Sequence, residues 1–145
     1  EYVNSIRKRA ASLDNVTDLG RVDPDEIHDF YRDGIALVNT SSHEGFPNTF
    51  LEAWRYNTPV VSLAVDPNRF VAPDIDGYAE NDEERLISIV EKLHRDHEYR
   101  QTLGEPAGEF VRSELSIDTV AKRYAGVLIK AMENTGESCQ VTYPN

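Results

Sequence analysis

Two short apolar runs, Ile35-Ala-Leu-Val-Asn-Thr40 and Val60-Val-Ser-Leu-Ala-Val65, stand out from a mostly polar first half. They are continuous rather than alternating, the pattern of strands buried on both faces of a parallel sheet. The intervening segment is long enough for a helix, so the three pieces predict a β-α-β unit. Upstream, Glu1 to Leu13 reads as a basic helix and Asn15-Val-Thr-Asp-Leu-Gly20 as a short strand closed by glycine. Asp23 to Asp33 begins with an Asp cap, a proline and acidic residues, then places Ile27, Phe30 and Tyr31 on one face, which predicts a helix.

Beyond Val65 lies an irregular stretch to Gly77, broken by prolines, with a short strand at Tyr78-Ala79. The period then turns helical. Leu86, Ile89, Val90 and Leu93 mark one amphipathic face, and Phe110, Val111 and Leu115 a second helix. A third starts at Ser116-Ile-Asp-Thr, with Val120, Tyr124, Val127, Leu128 and Ala131 spaced for burial. The whole reads as an α/β domain over residues 1–133, a Rossmann-like parallel sheet with flanking helices, followed by a polar tail over 134–145.

Composition narrows the partners. The net charge of -11 argues against a nucleic-acid backbone as partner, which would need clustered Lys and Arg. No apolar run approaches the ~20 residues of a membrane helix, and no cleavable signal is visible. Cys139 is the single cysteine, which fits a reducing compartment and a cytoplasmic protein, with the inner membrane surface as a second location. No Cys/His spacing suits zinc, and neither a metal nor any other cofactor is expected.

The chemistry concentrates between Thr40 and Trp54. In α/β sheets ligands collect at the carboxyl ends of the strands, where loops lead into helices. Gly45 lets backbone approach a ligand, and Pro47 suits an early helical position because its missing N–H has no intrahelical partner there. The amides of Asn48 and Thr49 then point out of the positive end of a helix, which stabilises a diphosphate without Lys or metal. Glu44 in the loop and Glu52 about one turn inside the helix would address opposite ends of one extended ligand, and carboxylates accept from paired hydroxyls such as those of sugars and riboses. Phe50 and Trp54 read as core, and His28, His94 and His97 as surface residues.

The pattern Glu44-Gly-Phe-Pro-x4-Glu52-Ala followed by Pro59-Val-Val resembles the Glu-x7-Glu motif of the retaining glycosyltransferases of family four, which have the GT-B fold. The resemblance runs from about Val16 to Met132 and implies a C-terminal nucleotide-sugar-binding domain. It implies that Glu52 binds the ribose hydroxyls and that Glu44, the catalytic candidate, binds a donor-sugar hydroxyl near the reacting centre. The Gly45-Phe46 backbone would touch the sugar, the amides of Asn48 and Thr49 the diphosphate, and Arg21 and Val22 the base. The implied activity is hexosyl transfer with retention from a nucleotide-diphosphate sugar. The acceptor, a sugar, lipid or small molecule, would be held by an N-terminal domain.

Two departures from the family pattern bear on this. The Lys and Arg that the family contributes from the start of this domain would precede Glu1, and the turn after Pro59-Val-Val is Asp66-Pro-Asn-Arg69 instead of a Gly-rich turn carrying a Glu. In a 3-2-1-4-5-6 sheet the strands read here are the third to sixth. The chain therefore reads as N-terminally truncated, inactive alone and prone to self-association through unpaired edges. Two other functions fit the carboxylate pair less well. A glycoside hydrolase needs both carboxyls about one bond, and a non-catalytic nucleotide-sugar-binding or interaction domain would keep the fold without the chemistry.

Overall fold

The structure, a computed structural model, describes residues 2–69 and 77–135. The stretch expected to be irregular is therefore seen only at its two ends, and the tail beyond residue 135, with Cys139, lies outside the described residues. The chain forms two compact units, residues 1–30 and 31–145.

The first unit carries helix α1 (Tyr2–Ala10). Arg7, Lys8 and Arg9 fill its last turn, where cations complement the negative end of the helix dipole. Tyr2, Val3 and Ile6 are exposed. The strand expected at Asn15 to Gly20 is absent: this backbone is irregular. Local bonds claim it instead. Val16 N–H donates to the Leu13 carbonyl at 3.2 Å, and Gly20 N–H donates to Asp18 Oδ1 at 2.9 Å, with Gly20 in the left-handed region at φ +62°. A side chain that bonds its own neighbouring backbone competes with sheet pairing, and the Asp18 carboxylate also holds Arg7 at 3.2 Å. Asp23 starts the next helix as expected, accepting from the N–H groups of Asp25, Glu26 and Ile27 at 3.0 Å each. Regular helix α2 (Ile27–Asp33) follows, and the division between the units falls within it, after Phe30. His28, expected at the surface, is half-buried.

In the second unit, β1 (Leu37–Asn39), α3 (Asn48–Arg55) and β2 (Val60–Ser62) form the predicted β-α-β unit. The strands are parallel, with Leu37 opposite Val60 and Asn39 opposite Ser62. Tyr78 adds a parallel bridge to Ser62 on the far side of β2, supported by Ser62 N–H to the Gly77 carbonyl at 2.8 Å and Ala79 N–H to the Ser62 carbonyl at 2.9 Å. β2 is buried throughout, as expected. β1 is not: among the described residues it pairs on one side only, and Val38 is 44% exposed.

Phe50, Ala53 and Trp54 form the buried face of α3. The Phe50 and Trp54 rings meet edge to face, centroids 5.6 Å apart, a geometry contributing about 0.5–1.5 kcal/mol beyond burial. α3 ends in a Schellman motif. Thr58 N–H reaches the Ala53 carbonyl at 3.0 Å and Asn57 N–H the Trp54 carbonyl at 2.8 Å, with Asn57 at φ 59°, a conformation Asn tolerates better than most.

Helices α4 (Glu83–Arg95), α5 (His97–Glu114) and α6 (Ile117–Thr135) follow. Asp82 caps α4 by accepting from Glu84 and Arg85 N–H at 2.9 and 3.1 Å, Asp96 caps α5 through Tyr99 N–H at 2.9 Å, and Ser116 caps α6 through Thr119 N–H at 3.2 Å. Ile89 and Leu93 are buried as their spacing predicted. On α5 the buried positions are Leu103, Gly104, Ala107 and Gly108, so the core-facing stripe is largely of small residues. The reason is close approach: a Cβ on Gly104 would run into the Asn57 carbonyl, and one on Gly108 would meet the Asn57 side chain and the Trp54 carbonyl.

α6 departs from its expected burial. Tyr124, Val127 and Leu128 are 70%, 66% and 59% exposed, and Val120 and Ala131 are also exposed. A helical period marks an apolar stripe; whether a neighbouring element covers that stripe is a separate matter. None among the described residues does.

Replacing Gly104 with Ala should destabilise the fold by about 1–3 kcal/mol, the usual cost of forcing a methyl into a filled site. Gly126→Ala, on α6 with open space around it, should be neutral or stabilising, since alanine is the better helix former. Urea unfolding of both variants measures the contrast.

Candidate functional site

The loop between β1 and α3 begins at Asn39. Its Oδ1 accepts from Ser41 N–H at 3.1 Å and lies 3.4 Å from the donating Ser62 hydroxyl. Its carbonyl accepts from Leu63 N–H at 2.9 Å. One strand-end asparagine thus ties the start of the loop to β2. His43 and Ser42 pair side chain to side chain at 3.2 Å, both exposed. Glu44, Gly45 and Phe46 are exposed at the carboxyl end of β1, and Pro47 is buried. Glu44 makes no hydrogen bond or ion pair to another described residue.

Pro47 is the N-cap of α3, with extended backbone (φ -71°, ψ 104°) and no side chain to cap the helix. It sits one position earlier than the first-turn placement expected. Its carbonyl accepts from Phe50 N–H at 3.0 Å, which leaves the amides of Asn48 and Thr49 without an acceptor among the described residues. α3 has no acidic residue in its first turn. Its positive end is therefore unopposed locally, the condition under which a helix start attracts an anion.

Glu52 lies one turn further along α3 and its side chain is exposed. One carboxylate oxygen is engaged: the Tyr31 hydroxyl donates to Oε2 at 2.8 Å. Tyr31 is 9% exposed, and its carbonyl in turn accepts from the buried Thr58 hydroxyl. Burial first, then the hydrogen bond and the negative charge of Glu52, push the Tyr31 phenol up to about 12. Each cause acts the same way, because ionised tyrosine would be a desolvated anion beside a carboxylate.

Tyr31 was missed as a site residue by sequence reasoning, which placed it only on an apolar helix face. No spacing rule joins positions 21 residues apart on different helices. The nominated residues from Glu44 to Glu52 are gathered in one loop and the first turns of one helix. Arg21, exposed, and Val22, half-buried, belong to the first unit. Pro67–Arg69 forms a short 3-10 turn with Pro67 buried, and Asn68 N–H donates to Asp66 Oδ1 at 2.9 Å. No group of three or more His, Cys, Asp or Glu among the described residues is placed to hold a metal.

A parallel β-α-β unit whose helix opens at the carboxyl end of the first strand is the core of a Rossmann-like α/β domain, and that opening is where such sheets take ligands. The family model for glycosyl transferases group 1 matches residues 1–96, and the chain belongs to this family of glycosyltransferases. No curated protein and no solved structure matches the chain. No helix among the described residues is long and apolar enough to cross a membrane.

The phenol of Tyr31 should titrate near 12 instead of 10, read as tyrosinate absorbance. Glu52→Gln should lower that value only part of the way, because desolvation, the larger cause, remains. A folded-state value above the unfolded one favours the protonated phenol in the folded state. Its contribution to stability is therefore complete below pH 10 and lost as pH rises toward about 12, which unfolding measurements across that window will register.

Proposed function

We propose that this chain supplies the donor-binding half of a retaining glycosyltransferase of family four, taking a nucleotide-diphosphate sugar. The observation that carries the reading is the start of α3. The amides of Asn48 and Thr49 have no acceptor among the described residues, at a helix start with no acidic residue in its first turn, and Glu44 is exposed in the preceding loop and Glu52 one turn along. In this reading Asn48 and Thr49 N–H groups hold the diphosphate, and Glu52 accepts from the ribose hydroxyls. Glu44 and the Gly45-Phe46 backbone meet the donor sugar.

The chemistry asked of the protein is modest. As the glycosidic bond to phosphate breaks, negative charge builds on the leaving diphosphate, and amides already aimed at that position stabilise it without reorganising. No metal or other cofactor has a step in this scheme. The acceptor, a sugar, lipid or small molecule, is bound by a second domain, so this chain by itself binds donor without transferring from it. The Glu44 carboxylate supports the assignment to the sugar, since no described residue occupies its lone pairs.

Calorimetric titration with UDP, GDP, ADP and CDP and with a matching nucleotide sugar tests the roles separately. Glu52→Gln should weaken both the nucleoside diphosphate and the nucleotide sugar about tenfold or more, the equivalent of about 1.5–3 kcal/mol for a hydrogen bond to a charged group. Glu44→Gln should weaken only the nucleotide sugar. Equal losses for both ligands in both variants would contradict the division of roles, and the absence of binding by the folded wild-type chain would remove the donor-site reading.

A further inference from the structure

Glu52 is a long, exposed side chain, and an exposed Glu ordinarily samples many rotamers whose loss opposes any contact it makes. Here its freedom is removed before a ligand arrives. Tyr31 donates to Oε2 at 2.8 Å, and Tyr31 is itself fixed: it is buried to 9% exposure, and its carbonyl is bonded by the hydroxyl of Thr58, which is 4% exposed. Thr58 leads directly into β2 (Val60–Ser62). A continuous series of hydrogen bonds therefore runs from the entry of the central strand, through α2, to one oxygen of a surface carboxylate on α3.

We propose that Tyr31 is a positioning residue for nucleotide binding: its hydroxyl holds Oε2 of Glu52 so that the remaining lone pairs of the carboxylate are presented to the vicinal hydroxyls of a ribose. This rests on the reading of Glu52 as the ribose anchor. The stoichiometry suits it. An ionised carboxylate is acceptor-only with about four lone-pair sites; Tyr31 takes one, and a cis-diol donating two O–H bonds still finds free sites on the same group. The donor is also constant, since a phenol that titrates at about 12 stays protonated throughout the neutral range. A plain α2–α3 strap would contribute to stability but would not distinguish ligands by their hydroxyls.

Tyr31→Phe removes one oxygen atom and leaves the backbone carbonyl to which Thr58 donates. Water can take its place at the exposed carboxylate, so the variant should fold. Tyr31→4-aminophenylalanine, which keeps a donor at the ring terminus, is the second variant. Each is made in the full chain, checked by thermal melting, and titrated with the tightest-binding of UDP, GDP, ADP and CDP and with its 2′,3′-dideoxy counterpart. Tyr31→Phe should weaken the ribonucleotide about five- to tenfold and leave the dideoxynucleotide unchanged, the amino variant should restore part of the preference, and in a Glu52→Ala background Tyr31→Phe should have no effect on it.

If wild type prefers the ribonucleotide and loses that preference in Glu52→Ala but keeps it in Tyr31→Phe, the positioning role is wrong while the ribose-anchor reading stands. Equal weakening of both nucleotides by Tyr31→Phe marks a structural strap and overturns the role as well. Should Tyr31→Phe fail to fold, the amino variant decides: folded but with no preference, it refutes the role. A wild-type chain with no preference for the ribonucleotide defeats the anchor reading and the inference with it.

Discussion

Everything at the candidate site depends on where α3 is held, and α3 is held at its far end by backbone-to-backbone contact. The Schellman turn at Tyr56 to Thr58 lies directly against α5, where Gly104 and Gly108 leave no side chain between the helix and the Asn57 and Trp54 carbonyls. Arg112, further along α5, donates to Asn57 Oδ1 at 2.8 Å and so fastens the same turn from its side chain. Such contact has little give, because a carbonyl cannot change rotamer as a side chain can. With the C-terminal end of α3 fixed there and its inner face filled by Phe50, Ala53 and Trp54, the N-terminal end has one position at the edge of the sheet. The amides of Asn48 and Thr49 inherit that precision.

A second constraint works from the opposite direction. Asn39 serves the sheet and the loop at once: its backbone pairs with β2 and its side chain organises Ser41 and Ser62. The Ser62 hydroxyl also accepts from Val65 N–H at 3.2 Å, so the exit of β2 is stitched to the exit of β1. The carboxyl ends of both strands are thereby tied by side chains, which take up backbone groups that sheet pairing leaves over. Between these two anchorages, the stretch from Ser42 to Phe46 is exposed, and the groups with chemical capacity are all on it or in the first turns of α3.

Different features of the chain were legible to different degrees. The continuous apolar runs identified β1 and β2, and Ser116 marked the start of α6, because these signals are local. Trp54 and Phe50 read correctly as core for the same reason: one turn apart, they define a helix face. Val16 to Gly20 misled because strand-like composition does not supply a partner strand, and Asp18 bonds the local backbone instead. The face of α6 misled because a stripe of Val120, Tyr124, Val127 and Leu128 is periodic whether or not a neighbour covers it. The small stripe of α5 was overlooked because glycines carry no hydrophobic signal, although they permit the closest packing in the unit.

By itself the sequence determined the α/β class, the β-α-β unit and the clustering of Glu44, Gly45, Phe46, Asn48, Thr49 and Glu52, since all of these follow from neighbours within a helix turn or a strand repeat. The motif also pointed to a glycosyltransferase, and the family match agrees. Only the tertiary structure decided which sheet edge and which apolar faces lack a partner among the described residues, and that Glu52 is held by Tyr31. Those depend on how elements distant in sequence are brought together by burial and backbone complementarity. A hydrogen bond between residues 21 positions apart has no periodicity to betray it, and exists only after both helices have packed.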